Sequence, residues 1–315
     1  MSDPWLTFAP LQPHWVLPTD ISLPYSLSEQ VSIRPIPEWV GQPDTVDELR
    51  PQLREKLEND GSRHCIGVEY QADAFGSPDP TWKGDPPWSM QDTAAQWIRS
   101  AQLALWLARP TTLSFNIVID AVKNGSEWVT RGTTSYTETY ALPEHRHERH
   151  TLEDFATART LFNAFLCVSQ RGPVHTAALM NMKALGDRTW EFRFLVMWLV
   201  LECLFGPETP QETTFRFSQR MAFFLEKEGS KAREVYARIK KSYEWRSRIV
   251  HGFRLSNLKG GESNPLLVEL EELVRRSLVA ILENESLTKT FDGRRRQEYL
   301  DSLAFRHTGK NVGIT

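Results

Sequence analysis

Hydrophobic and polar positions follow one period in the first half of the chain and another in the second. Residues 64–70, HCIGVEY, and residues 112–121 are dense in β-branched and aromatic residues, the composition of strands. Residues 127–142, EWVTRGTTSYTETYAL, read the same way through their Thr and Tyr content. Between them, residues 93–108, TAAQWIRSAQLALWLA, carry an amphipathic helical pattern. Arg109-Pro110 closes it, because proline lacks the amide hydrogen a helix needs. Residues 1–60 are Pro-rich and show little periodicity, so they are expected to be irregular apart from a short helix at 45–59.

The pattern changes at 143–150, PEHRHERH, which reads as a charged hinge and sets a domain boundary. Beyond it the period is helical. Thr151 with Asp154 resembles a capping pair, and Leu152, Phe155, Leu161, Phe162, Phe165 and Leu166 recur at helical spacing up to Gly172. Residues 189–205 predict a strongly apolar central helix, and 212–228 another. Ser230 is the expected cap of a long helix ending near Val250, with Gly252 just past its end. Ser263 and Pro265 open the next, and a basic tail, Arg294-Arg295-Arg296, follows. The expected fold class is α+β. A mixed α/β domain over 1–150 precedes an all-α helical bundle over 151–315.

Charge sharpens this division. The 315 residues hold 37 Lys+Arg and 40 Asp+Glu, a net of −3, which excludes a globally basic nucleic-acid binder. Residues 1–150 hold 12 basic and 20 acidic side chains, whereas 151–315 hold 25 and 20. Net charges of −8 and +5 make only the second half suited to a polyanionic partner. Cys65, Cys167 and Cys203 are isolated, so neither a disulfide framework nor a zinc ribbon is expected, and no metal or cofactor is implied. No stretch is long and apolar enough for a membrane span, and the N-terminus lacks a signal-peptide pattern. A soluble cytoplasmic protein is the expectation.

The sharpest chemical feature is Tyr243-Glu244-Trp245-Arg246-Ser247-Arg248-Ile249-Val250-His251-Gly252. Arg246 and His251 stand at the end of one predicted helix. The pair suits phosphodiester cleavage: histidine exchanges protons near neutral pH, and arginine holds a phosphate bidentately. On RNA the adjacent 2′-OH serves as nucleophile, so no metal is required; DNA lacks that hydroxyl. The alternative is that both cations merely favour the negative end of the helix dipole. Glu202, inside the most apolar helix, either orients Arg246 or another arginine, or forms an ion pair that fixes packing. Tyr243 faces the cleft or packs in the core. Arg248 adds positive field or is simply solvated.

The stretch Tyr243-x-x-Arg246-Ser247-x-x-Val250-His251-Gly252 resembles the Arg-x4–6-His signature of the HEPN superfamily, most closely its ApeA-like branch. The agreement extends to Leu201-Glu202 and Leu204 and to a helix carrying Arg220, so the resemblance covers residues 151–285. It implies a helical-bundle homodimer with both motifs facing one cleft, and a metal-independent endoribonuclease acting in antiviral defence or growth arrest. By position, His251 is the acid/base and Arg246 the phosphate clamp. Ser247 fills a polar position where much of the superfamily has Asn, Asp or His. Some members are non-catalytic binding modules. An RNA substrate and a trigger for the N-terminal domain, such as a phage component, are the implied partners.

Other features are weaker. His145, His147 and His150 give H-x-H-x2-H, read as a solvated hinge in preference to a metal site. Arg294-Arg295-Arg296 either tracks a phosphate backbone or is a solvated face. Phe291-Asp292-Gly293 has no kinase-type context. Trp82 and Trp88, in a Pro/Gly loop, either anchor that loop or bind a partner.

Overall fold

A computed structural model of the chain describes residues 4–41, 50–71, 90–169, 172–207, 213–252 and 263–308. Two compact units emerge, residues 1–163 and 164–315. The division falls inside a helix, α3 (Leu152–Leu166), later in the chain than residue 150. The reason is local packing: Phe155 is fully buried and lies against Trp15 and Tyr25, so the start of α3 belongs to the first unit. Divided there, the units hold 13 basic with 22 acidic and 24 basic with 18 acidic side chains.

The first unit contains an antiparallel six-stranded sheet in the order β2-β3-β4-β1-β5-β6. Its strands are β1 (Pro4–Pro10), β2 (Tyr25–Ser26), β3 (Val31–Pro35), β4 (His64–Gln71), β5 (Ile117–Asn124) and β6 (Glu127–Ser135). The expectation that 1–60 is irregular is therefore wrong. β1 lies between β4 and β5, and Leu6 through Pro10 are all buried. A strand covered on both faces shows no alternation, and its prolines sit at its ends, where a missing amide is tolerated. Leu6 and Phe8 pack with Leu53 and Leu57 of α1 (Arg50–Asp60). α2 (Met90–Ala108) packs on β1, β3 and β4.

β5 begins later than residue 112 because the Leu113 carbonyl accepts bonds from Gln102 and Thr139 side chains instead of joining the ladder. β6 ends at Ser135, short of 142. The expected capping pair forms reciprocally: Thr151 N donates to Asp154 Oδ2 at 2.8 Å, and Asp154 N to Thr151 Oγ1 at 3.3 Å. Trp82 and Trp88 lie outside the described residues.

His150 is not solvated. It is 2% exposed, accepts from Trp15 Nε1 through Nδ1 at 3.0 Å, and donates through Nε2 to the Leu105 carbonyl at 3.0 Å. Burial holds its imidazole below the ordinary value of 6.5, outweighing the hydrogen bond to Leu105 and the Asp154 charge. An unfolded chain takes up a proton at His150 near the ordinary value, whereas the folded one resists. Stability from this site is complete above that value and falls as pH drops below it. The thermal midpoint is expected to fall between pH 7.5 and 5.5 by less in His150→Gln than in the wild type. An equal fall in both would reject the assignment.

In the second unit, α4 (Pro173–Leu185), α6 (Thr213–Leu225), α7 (Gly229–Val250) and α8 (Ser263–Leu282) pack on α5 (Trp190–Phe205), while α9 (Glu285–Phe291) packs on α8 and α10 (Arg296–Thr308) on α6. α4 escaped the sequence pattern because its buried face is mostly small: Val174, Ala177, Ala178, Ala184. Residues 294–296 are not a tail: Arg294 and Arg295 lie in the turn between α9 and α10, and Arg296 opens α10. α7 starts at Gly229 with Glu228 as N-cap, because the Ser230 hydroxyl donates to the Glu228 carboxylate instead of capping. Its end is as expected: Gly252 has φ +66°, a left-handed conformation that favours glycine.

Asp292 has a structural task. Its carboxylate accepts from Ser169 N at 3.2 Å and from Val174 N at 3.1 Å, capping the start of α4. A Cβ on Gly172 would stand 2.2 Å from Asp292 Oδ1. Gly172→Ala must push that carboxylate off the helix end, a cost of about 1–3 kcal/mol. Chemical denaturation checks this; an unchanged midpoint would refute it.

Candidate functional site

α7 faces the bundle through Ala232, Val235, Ile239 and Ser242, a helical stripe with steps of three and four. Arg246 is the next position on that stripe. It lies where the bundle opens, so its side chain is 23% exposed. There it meets α5: Arg246 Nη2 is 3.1 Å from the Glu202 carboxylate, itself 24% exposed. Glu202 is thus the partner of Arg246, at an edge of the bundle and not in its deep interior. A pair this exposed contributes about 0–1 kcal/mol, so it orients the guanidinium more than it stabilises the fold.

Tyr243, one turn before Arg246, completes the cluster. The Arg246 guanidinium carbon lies 5.6 Å from the Tyr243 ring centre. The ring itself packs edge-on against Trp198 at 5.4 Å and near Phe217 at 6.3 Å. Tyr243 therefore forms an apolar floor that holds one side of Arg246.

The remaining motif residues are arranged differently. Arg248 is two residues on, so it points away from Arg246, and it lies 5.1 Å over the Trp245 ring. Ser247 is partly exposed, and its carbonyl accepts the His251 amide at 3.1 Å. His251 is the C-cap residue of α7 and is exposed. Five residues correspond to about 140° around an α-helix, so Arg246 and His251 do not share a stripe. The chain thus presents two accessible groups, a guanidinium fixed by a carboxylate and an imidazole at a helix end.

The positive charge of the unit gathers on this helix. α7 holds seven basic side chains and only Glu234 and Glu244 as acids. Lys240 and Lys241 are exposed next to the site.

Other charged residues are structural. Arg220 is 3% exposed and donates to Asp301 of α10, at 2.7 Å through Nη2, and to the Phe205 carbonyl at 3.2 Å. Arg193 and Glu271 form an ion pair with side chains 4% and 2% exposed. Neither residue of that pair was singled out in the sequence, although both fall on apolar stripes: Arg193 with Met197, Val200 and Leu204, and Glu271 with Leu267, Val274 and Leu278. In the first unit, Thr7 Oγ1 donates to Asp120 at 2.6 Å and lies 3.1 Å from the Tyr70 hydroxyl, all three buried. Burial pushes the Tyr70 phenol up to about 12, the Thr7 hydrogen bond opposing and the Asp120 charge adding.

Among the described residues, no group of three or more His, Cys, Asp or Glu is placed to hold a metal ion, and no helix is long and apolar enough to cross a membrane. Comparison with protein-family models, curated proteins and solved structures finds no match to this chain.

Proposed function

We propose that the chain is a metal-independent endoribonuclease of the HEPN type, with Arg246 and His251 as its catalytic residues. The observation that carries this reading is the pairing of Arg246 with Glu202 at an open edge of the bundle, on a helix that ends in an exposed His251. Arg246 would release one face to a phosphate and stabilise the charge of the pentavalent transition state. His251 would take the 2′-OH proton or return one to the leaving 5′ oxygen. Because the two residues lie on different faces of α7, a two-fold dimer that brings two motif helices to one cleft fits the chemistry better than one protomer does. The resemblance implies such a homodimer and a role in antiviral defence, with the acidic first unit answering to a trigger.

The test is incubation of the full chain with single-stranded RNA in EDTA, with DNA of the same sequence beside it. Expected products carry a 2′,3′-cyclic phosphate and a 5′-OH, and the DNA stays intact. Cleavage that needs a divalent ion, or that leaves a 5′-phosphate, would overturn the mechanism. The second reading is a non-catalytic binding module. It is favoured by the same ion pair, because a guanidinium already neutralised by Glu202 is less available to substrate.

A further inference from the structure

The triplet Arg294-Arg295-Arg296 divides into one arginine whose side chain holds the fold and two whose side chains pair with no carboxylate among the described residues. Arg296 is partly buried and donates to the Cys203 carbonyl, while Gln297 donates to the Gly206 carbonyl at 3.0 Å. Together they seat the α9–α10 turn on the C-terminal end of α5, where helix carbonyls lack internal partners. Arg294 and Arg295 are exposed, and among the described residues neither pairs with a carboxylate. Lys289, one turn back on α9, adds a third cation, although Glu285 pairs with it. Asp292, two residues before Arg294, is the nearest acid along the chain, and its carboxylate is held by the Ser169 and Val174 amides; Glu298 lies in the first turn of α10.

Two features make this turn more than a solvated charge run. Arg294 and Arg295 stand at the start of α10, the positive end of its dipole, where cations are disfavoured. The turn is also fixed in relation to the candidate site. Arg296 holds the carbonyl of Cys203, and the preceding residue, Glu202, holds Arg246. Chain geometry limits the distance between the Arg246 and Arg296 guanidinium groups to about 17 Å. Arg295 directly precedes Arg296, so a single strand a few phosphates longer than that span can reach from Arg246 to the turn.

We infer that Arg294 and Arg295 form a backbone-binding subsite for single-stranded RNA that extends from Arg246 across the end of α5. The inference rests on the reading of RNA as the substrate. The contacts are to phosphate, so they add affinity and position the strand without selecting sequence.

The test uses the full chain in a His251→Ala background, so that the RNA stays whole. Binding of a fluorescein-labelled single-stranded RNA is followed by anisotropy across a salt series in EDTA. Arg294→Ala with Arg295→Ala is expected to weaken binding about tenfold and to lower the slope of log K against log salt by about 1.4, the value for two lost phosphate contacts. Arg294→Lys with Arg295→Lys should restore both. Unchanged affinity and slope in the alanine variant would overturn the inference, as would RNA binding that never appears. Cleavage in an otherwise wild-type chain is measured in parallel. RNA cut equally well without the two arginines removes the subsite and leaves the nuclease reading. Binding that depends on them in a chain that cuts nothing removes the nuclease reading and leaves the subsite.

Discussion

Glu271→Ala is expected to destabilise the second unit by about 3–5 kcal/mol, the largest stability effect of any substitution considered for this chain. The cause is Arg193, whose side chain is 4% exposed on α5 and cannot turn to water when its partner is cut away. A buried guanidinium that loses this carboxylate has less to offset its desolvation penalty. The double substitution Arg193→Met with Glu271→Leu removes both charges and fills the space, and should be neutral or stabilising by about 1–4 kcal/mol. Urea unfolding followed by far-ultraviolet circular dichroism separates the two cases. A cost under about 1 kcal/mol for Glu271→Ala would mean that the pair is hydrated in solution.

On the proposed mechanism, His251→Ala and Arg246→Ala are each expected to lower RNA cleavage by a factor of about 10²–10⁴, the range for loss of a general acid/base or of a transition-state charge partner. The double variant should be little worse than either single one, because residues acting in one step are not additive. Arg246→Lys keeps the charge but not the planar fork, so it should recover only part of the activity. Misfolding does not explain these losses. Glu202 is 24% exposed and can be hydrated when Arg246 is removed. Circular dichroism of each variant should therefore match the wild type. Full activity in either alanine variant would exclude that residue from the chemistry.

The second unit was more legible from sequence than the first. α5, α7 and α8 announce themselves through bulky residues at helical spacing, and Gly252 marks where α7 stops. The pairing of Glu202 with Arg246 was one of the open alternatives, since a carboxylate in an apolar helix needs a partner. β1 stayed hidden because a strand buried on both faces has no alternating pattern. α4 stayed hidden because alanines mark a close approach of helices without marking a period. The task of Arg296 was invisible for another reason. Its partner is the backbone carbonyl of Cys203, 93 residues away, and a backbone acceptor leaves no trace in side-chain pattern.

The place of β1 also bears on how the chain is made. Of the six described strands it is the first to be synthesised, yet its neighbours are β4, at 64–71, and β5, at 117–124. Until both exist, this buried strand has open edges, and pairing across such sequence distances is slow. A nascent chain passes through a stage in which β1 exposes unpaired amides and carbonyls. A fragment ending before residue 117 is trapped in that stage and is an aggregation hazard. The first unit can close its sheet only after β5 is made, and the helix that bears Arg246 and His251 is synthesised later still.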